Sequence, residues 1–166
     1  EKADVICSLD SDIFAHEPAG TFYARQYSSR REPDSDKGPM NRLYVIEGQY
    51  SMTGASADSR LTIPSSQIGS FAVELEKRID TMLASGVPAG SADEKTWDEL
   101  DTAGRIARTL DVLAGDLVTS KGKSAVLVGR HQPAEVQAVG LRINQKLGNV
   151  GATVDLLDIQ DDQEML

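Results

Sequence analysis

A mostly parallel sheet in a Rossmann-like, three-layer α/β domain is the fold predicted for this chain, and three observations predict it. Ser124-Ala125-Val126-Leu127-Val128 is an apolar, β-branched run that stops at Gly129, the mark of a strand buried on both faces. Behind Pro133, the residues Val136, Val139, Ile143 and Leu147 recur at spacings of three and four, a helical stripe closed by Gly148. Ala152-Thr153-Val154-Asp155-Leu156-Leu157 then reads as a second strand, and a strand, a crossover helix and a strand make a βαβ unit with parallel strands.

The earlier chain must supply the rest of the sheet. Asp4 to Leu9 is the first strand, with Cys7 inside it as a small buried hydrophobe. Asp10 and Asp12 follow where α/β proteins keep their functional loops. With His16 nearby they raise the question of a metal, but no further His or Cys close in sequence completes a ligand set, so they read as turn-forming residues of a solvated loop. Residues 19–30 are predicted helical, packing through Phe22, Tyr23 and Tyr27. Residues 30–40 contain almost no apolar side chain and are expected to be a mobile surface loop. Arg25, Arg30, Arg31, Lys37 and Arg42 make this the most basic part of the chain, read as a solvated surface in preference to a dock for an acidic partner.

Leu43 to Ile46 is the next strand, followed by a Gly-, Ser- and Thr-rich dozen residues. Leu61 to Ile63 is a short edge strand ended by Pro64. A helix opens at Ser65 and buries Ile68, Phe71, Ala72, Leu75, Ile79 and Met82. Gly86 to Gly90 breaks it, and Ser91 with Glu94 has the capping-box spacing that would open a long helix carrying Trp97, Leu100, Gly104, Ala107, Leu110, Ala114 and Leu117. The acidic tail, residues 159–166, is expected to fray.

The chain suits a single domain, residues 1–166, and Glu1-Lys2 leads so directly into a strand that it reads as a piece of a larger polypeptide. Acidic residues outnumber basic ones by 26 to 17, and a net charge of −9 disfavours nucleic acid. No apolar run approaches the roughly 18 residues of a membrane span, so a soluble piece without membrane insertion is expected. One cysteine excludes an internal disulfide and a cysteine-rich iron-sulfur or zinc site. A nucleotide site needs a glycine-rich turn, and Gly129-Arg130-His131-Gln132-Pro133 offers one glycine; Arg130 and His131 are therefore weak anion candidates beside a helix start. No serine sits in a Gly-x-Ser-x-Gly elbow, and no catalytic residue is assigned.

Three stretches carry a family likeness. Ala3 to Asp12 forms a strand with an acidic loop, Val45-Ile46-Glu47-Gly48-Gln49-Tyr50-Ser51-Met52-Thr53-Gly54-Ala55-Ser56-Ala57-Asp58 has the length of a V-I-D-P-R-x-T-x-T-A-x-x-A-D motif, and Leu147-Gly148-Asn149-Val150-Gly151 matches an L-G-N-x-G closing turn. Together they resemble the molybdopterin oxidoreductase superfamily. Met40 to Gly48, Thr53-Gly54-Ala55 and Ala57 to Leu61 are most similar to the molybdopterin-enzyme-like region of the large iron-sulfur subunit of alternative complex III, a quinol oxidoreductase. The resemblance implies a pterin-nucleotide site at Glu47, Gln49, Thr53, Asp58 and Ser65, but a degenerate one: Gly48-Gln49 replaces Pro-Arg, and Ile68 stands where the family has an acid.

The resemblance thus implies a non-catalytic scaffold and docking domain of an iron-sulfur electron-transfer subunit. Its partners would be other domains of the parent chain and subunits of a membrane-associated complex on the periplasmic face of a bacterial inner membrane. No cofactor is expected in this piece, with iron-sulfur clusters or molybdopterin confined to the parent chain. The alternative is a part of a true molybdopterin oxidoreductase that helps bind the pterin nucleotide, and a third reading is a free-standing small-molecule binder using the turn at Gly129 to Pro133. On the scaffold reading, Arg130→Ala and Glu47→Gln are both expected to leave stability nearly unchanged.

Overall fold

In a computed structural model, which describes residues 2–31, 40–86 and 96–156, the chain builds a four-stranded, all-parallel sheet with helices on both faces. The strands are β1 (Val5–Leu9), β2 (Arg42–Glu47), β3 (Ser59–Thr62) and β4 (Ser124–Val128), in the order β3-β2-β1-β4. Leu9 stands level with Ile46 on one side and Val128 on the other, so three strands end together. The chain runs outward from β1 through β2 to β3 and then returns to the other side of β1. That reversal is where open α/β sheets form their crevice.

Side-chain alternation assigns the layers. Val5, Cys7, Leu9, Tyr44, Ile46 and Val126 face the larger core, with α3 (Ile68–Ser85), α4 (Thr102–Thr119) and α5 (Ala134–Lys146). Leu43 and Val45, with Ile6 beside them, face the smaller cluster around Tyr27 of α1 (Gly20–Ser29) and Phe14, and the one-turn helix α2 (Met52–Ala55) follows β2. The three-layer α/β expectation therefore holds. All six apolar positions expected on α3 are buried, as is the Val136, Val139, Ile143, Leu147 stripe of α5. Cys7 is fully buried, which pushes its thiol pKa up and leaves it a core hydrophobe.

Two elements depart from expectation. The long helix begins only at Thr102, where the Asp101 side chain accepts the Gly104 amide at 2.8 Å. Trp97–Glu99 is a separate 3-10 turn closed by its own capping box, in which the Thr96 amide donates to Glu99 at 2.7 Å, and Leu100 is extended between the two. The Ser91 and Glu94 capping box falls outside the described residues.

The second departure is the strand predicted at 152–157. Residues 151–153 form a turn instead: the Asn149 carbonyl accepts the amides of Ala152, Thr153 and Val154 at 3.0, 2.9 and 3.0 Å, and only an isolated bridge links Val150 to Val154. Leu157 lies outside the described residues. The cause is visible on β4. Asn144 of α5 takes the Val126 amide on its Oδ1 at 3.0 Å and donates from Nδ2 to the Val126 carbonyl at 2.7 Å. Thr153 donates its hydroxyl to the Ser124 carbonyl, and Asn149 bridges Ser124 Oγ and Asn144 Oδ1. Side-chain amides and a hydroxyl thus occupy the outer rim of β4 at Ser124 and Val126, and among the described residues no fifth strand pairs there. Asn149 is set by the end of α5, where its amide bonds the Asn144 carbonyl and that of Gly148 (φ 67°) bonds the Gln145 carbonyl, the two bonds of a Schellman cap.

The basic stretch is likewise tied down. Arg30 is buried and donates to the Ala3 carbonyl at 2.8 Å and to Asp4 at 2.7 Å. Arg31 pairs with Asp58 and Asn41, and Arg42 pairs with Asp116. The solvated basic surface expected here is therefore corrected at Arg30 and Arg31, whose charges are met by Asp4 and Asp58, while Arg42 pairs with an acid yet stays exposed. Lys37 and most of the loop expected to be mobile, residues 32–39, fall outside the described residues, as does the tail expected to fray.

Candidate functional site

The carboxyl ends of β1, β2, β3 and β4 open into a crevice of about 600 Å3, lined by Asp10, Asp12, Glu47, Gln49, Ser65 and Arg130, among others. Asp10 is its hub. The backbone there is left-handed (φ 55°), a conformation that a residue other than glycine rarely adopts. Its amide still bonds the Ile46 carbonyl at 2.7 Å, while the side chain turns back over the strand ends. Gly129 makes room, since a Cβ at that position would come within 2.0 Å of the Asp10 carbonyl oxygen.

Donors from three other loops meet the Asp10 carboxylate. Oδ1 accepts the Gly48 amide at 3.2 Å. Oδ2 accepts the Ser65 hydroxyl and the Gln132 amide group, the latter at 2.7 Å, and lies 2.8 Å from His131 Nε2, which donates in the tautomer protonated there. Burial raises the carboxyl pKa, but the hydrogen bonds from Ser65, His131, Gly48 and Gln132 together outweigh it and hold the group below the ordinary carboxylate value. Gln132 also donates to Ser65 Oγ at 2.9 Å. The Ser65 hydroxyl therefore points its proton at a carboxylate.

Asp12 anchors the next loop, accepting the Thr53 amide at 3.1 Å and hydroxyl at 2.7 Å. Asp10 and Asp12 are thus corrected from solvated turn residues to hydrogen-bonded ties between strand ends. Glu47 is 3% exposed. It pairs with Arg60 Nε at 2.5 Å and accepts the Ser51 hydroxyl at 2.5 Å, and a Cβ on Gly54 would lie 2.0 Å from its Oε1.

Of the residues singled out from the sequence, Glu47, Gln49, Ser65, Arg130 and His131 gather at the crevice. Thr53 lies behind it, buried, its hydroxyl accepting the Phe14 amide and donating to Asp12. Asp58 is at the opposite, amino end of the sheet, where it accepts the Leu43 amide at 2.7 Å and pairs with Arg31. Gln49 and Arg130 are exposed, the Arg130 side chain 3.9 Å from Glu17. Sequence reasoning passed over Asp10 and Gln132 as binding groups. Nothing in local spacing signals that residues 10, 48, 65 and 132 converge, and the left-handed backbone at Asp10 has no compositional mark.

These residues do not fit the pyrophosphate of a dinucleotide. The donors at the strand ends are engaged by Asp10, and the carboxylates of Asp10, Asp12, Glu17 and Glu47 in the lining outnumber its one arginine, Arg130. Among the described residues no group of three or more His, Cys, Asp or Glu side chains converges to hold a metal ion, and no helix is long and apolar enough to cross a membrane. Compared with known proteins, the chain matches no family model and no curated protein.

Proposed function

We propose that this chain is a non-catalytic scaffold and docking domain of a multi-domain iron-sulfur electron-transfer subunit, derived from a molybdopterin oxidoreductase domain whose cofactor grip has been lost. The reading rests on the sequence resemblance, and one observation favours it over the pterin-binding alternative. The Asp10 carboxylate takes the Gly48, Ser65, Gln132 and His131 donors that a bound phosphate at the strand ends would require. An all-parallel α/β fold with the strand-order reversal at β1 agrees with such an origin. The finer expectations, quinol oxidation by the parent complex and a periplasmic location, belong to the same proposal and come from the resemblance alone.

The test has two arms. Titration of this chain with guanosine and adenosine nucleotides in a calorimeter is expected to give no heat and no change in melting. Heat with a Kd below about 1 mM, roughly −4 kcal/mol of binding, would move the assignment to the pterin-nucleotide alternative. In the second arm the parent polypeptide is purified and oxidised with iodine. It is expected to hold iron and acid-labile sulfide and to release no fluorescent pterin; stoichiometric pterin would overturn the scaffold reading.

A further inference from the structure

We infer that the crevice contains a self-occupied oxyanion site, in which the Asp10 carboxylate stands where the oxyanion of a small carboxylate or phosphate ligand is received. The four donors do not belong to one turn. Gly48 follows β2, Ser65 follows β3, and His131 and Gln132 follow β4, so three separate loops aim at one point above β1. Convergence of a backbone amide, a hydroxyl, a carboxamide and an imidazole on one carboxylate is the donor set of an anion receptor.

The chain also accepts backbone strain to place its own anion there. Asp10 is the single non-glycine residue with positive φ among the described residues, and Gly129 gives up its side chain so that the Asp10 backbone can pass. The occupant is therefore built in, and the receptor is closed to external anions as long as the carboxylate remains.

Removing the side chain while easing the backbone follows directly. Asp10→Gly suits φ 55° and vacates a space of one carboxylate, leaving the Gly48 amide and the Ser65 hydroxyl without their acceptor while Gln132 keeps Ser65 Oγ. Formate, the planar replacement, and inorganic phosphate, the tetrahedral one, are the probes, each added at about 20 mM against chloride of equal ionic strength. The wild type is expected to melt at the same temperature in all three. Asp10→Gly is expected to melt lower in chloride and to regain about 3 °C or more in formate or phosphate, the difference between the two reporting the shape of the receptor. Asp10→Asn, which fills the space, is expected to show no anion effect, and adding Ser65→Ala and Gln132→Ala to Asp10→Gly is expected to abolish the gain.

An Asp10→Gly protein indifferent to both anions overturns the inference, as does an equal gain in the wild type. If that variant does not fold in chloride, recovery of its far-ultraviolet circular dichroism in formate or phosphate supports the site, and failure in both overturns it. The inference shares the Asp10 contacts with the scaffold reading, yet the two fail separately. Nucleotide binding by the wild type removes the scaffold reading, whereas a silent Asp10→Gly removes the receptor and leaves the scaffold reading standing.

Discussion

Glu47 keeps a charge in the core because Arg60 and Ser51 meet it there and Gly54 leaves the carboxylate room. The expectation that Glu47→Gln is harmless is accordingly replaced. The neutral side chain leaves Arg60 without its acid, and urea unfolding is expected to show a loss of about 2 kcal/mol. Arg130, exposed and only loosely near Glu17, still carries the original expectation: Arg130→Ala changes unfolding free energy by less than about 0.5 kcal/mol. The contrast comes from burial. Glu47 is the last residue of β2 and Arg130 stands two residues past β4, and composition around them does not say which one turns inward.

Between elements, side-chain bonds decide what the backbone leaves open. Asn144→Asp keeps the acceptor for the Val126 amide but loses the donor to the Val126 carbonyl and buries a charge, so a loss of about 3 kcal/mol is expected in denaturant melts. On the other side of α5, Glu76 of α3 is bound by Arg142 at 2.9 and 2.8 Å and by Lys146 at 2.9 Å. Chiefly through Arg142, with burial opposing and Lys146 adding, its carboxyl is drawn down to about 2 from 4.5. A lowered carboxyl gives stability that is fully present above the unfolded value and lost as pH falls through the folded one. Wild-type stability is therefore expected to drop between pH 4.5 and 2, and Glu76→Gln to be weaker by about 1 kcal/mol at pH 7 and to show a shallower acid limb in pH-dependent unfolding. Helix faces were legible because period 3.6 is written locally, as on α3 and α5. The strand at 152–157 was not, because Thr153 and Val154 have the composition of a strand, while Asn144 and the Thr153 hydroxyl itself occupy the rim on which it would pair.

Across the whole molecule, one large apolar cluster joins α3, α4 and α5 to all four strands, and Leu75 sits in it fully buried. Leu75→Ala is expected to cost about 3 kcal/mol and to lower Tm by about 6–12 °C in a single cooperative transition. The α/β class was legible because the apolar runs of β1, β2 and β4 and the stripes of α3 and α5 agree with one another. The crevice was legible in part: strand-end positions such as Glu47, Ser65 and His131 follow from topology. Its central occupant was hidden because residues 10, 48, 65 and 132 meet only after every crossover has formed.

The amide and hydroxyl seal along β4 makes the lateral growth of this sheet directional. Occupied at the Ser124 carbonyl and at both main-chain groups of Val126, the β4 flank is blunted as a template for strand addition, and β3, which pairs with β2 on one side, forms the other flank of the sheet.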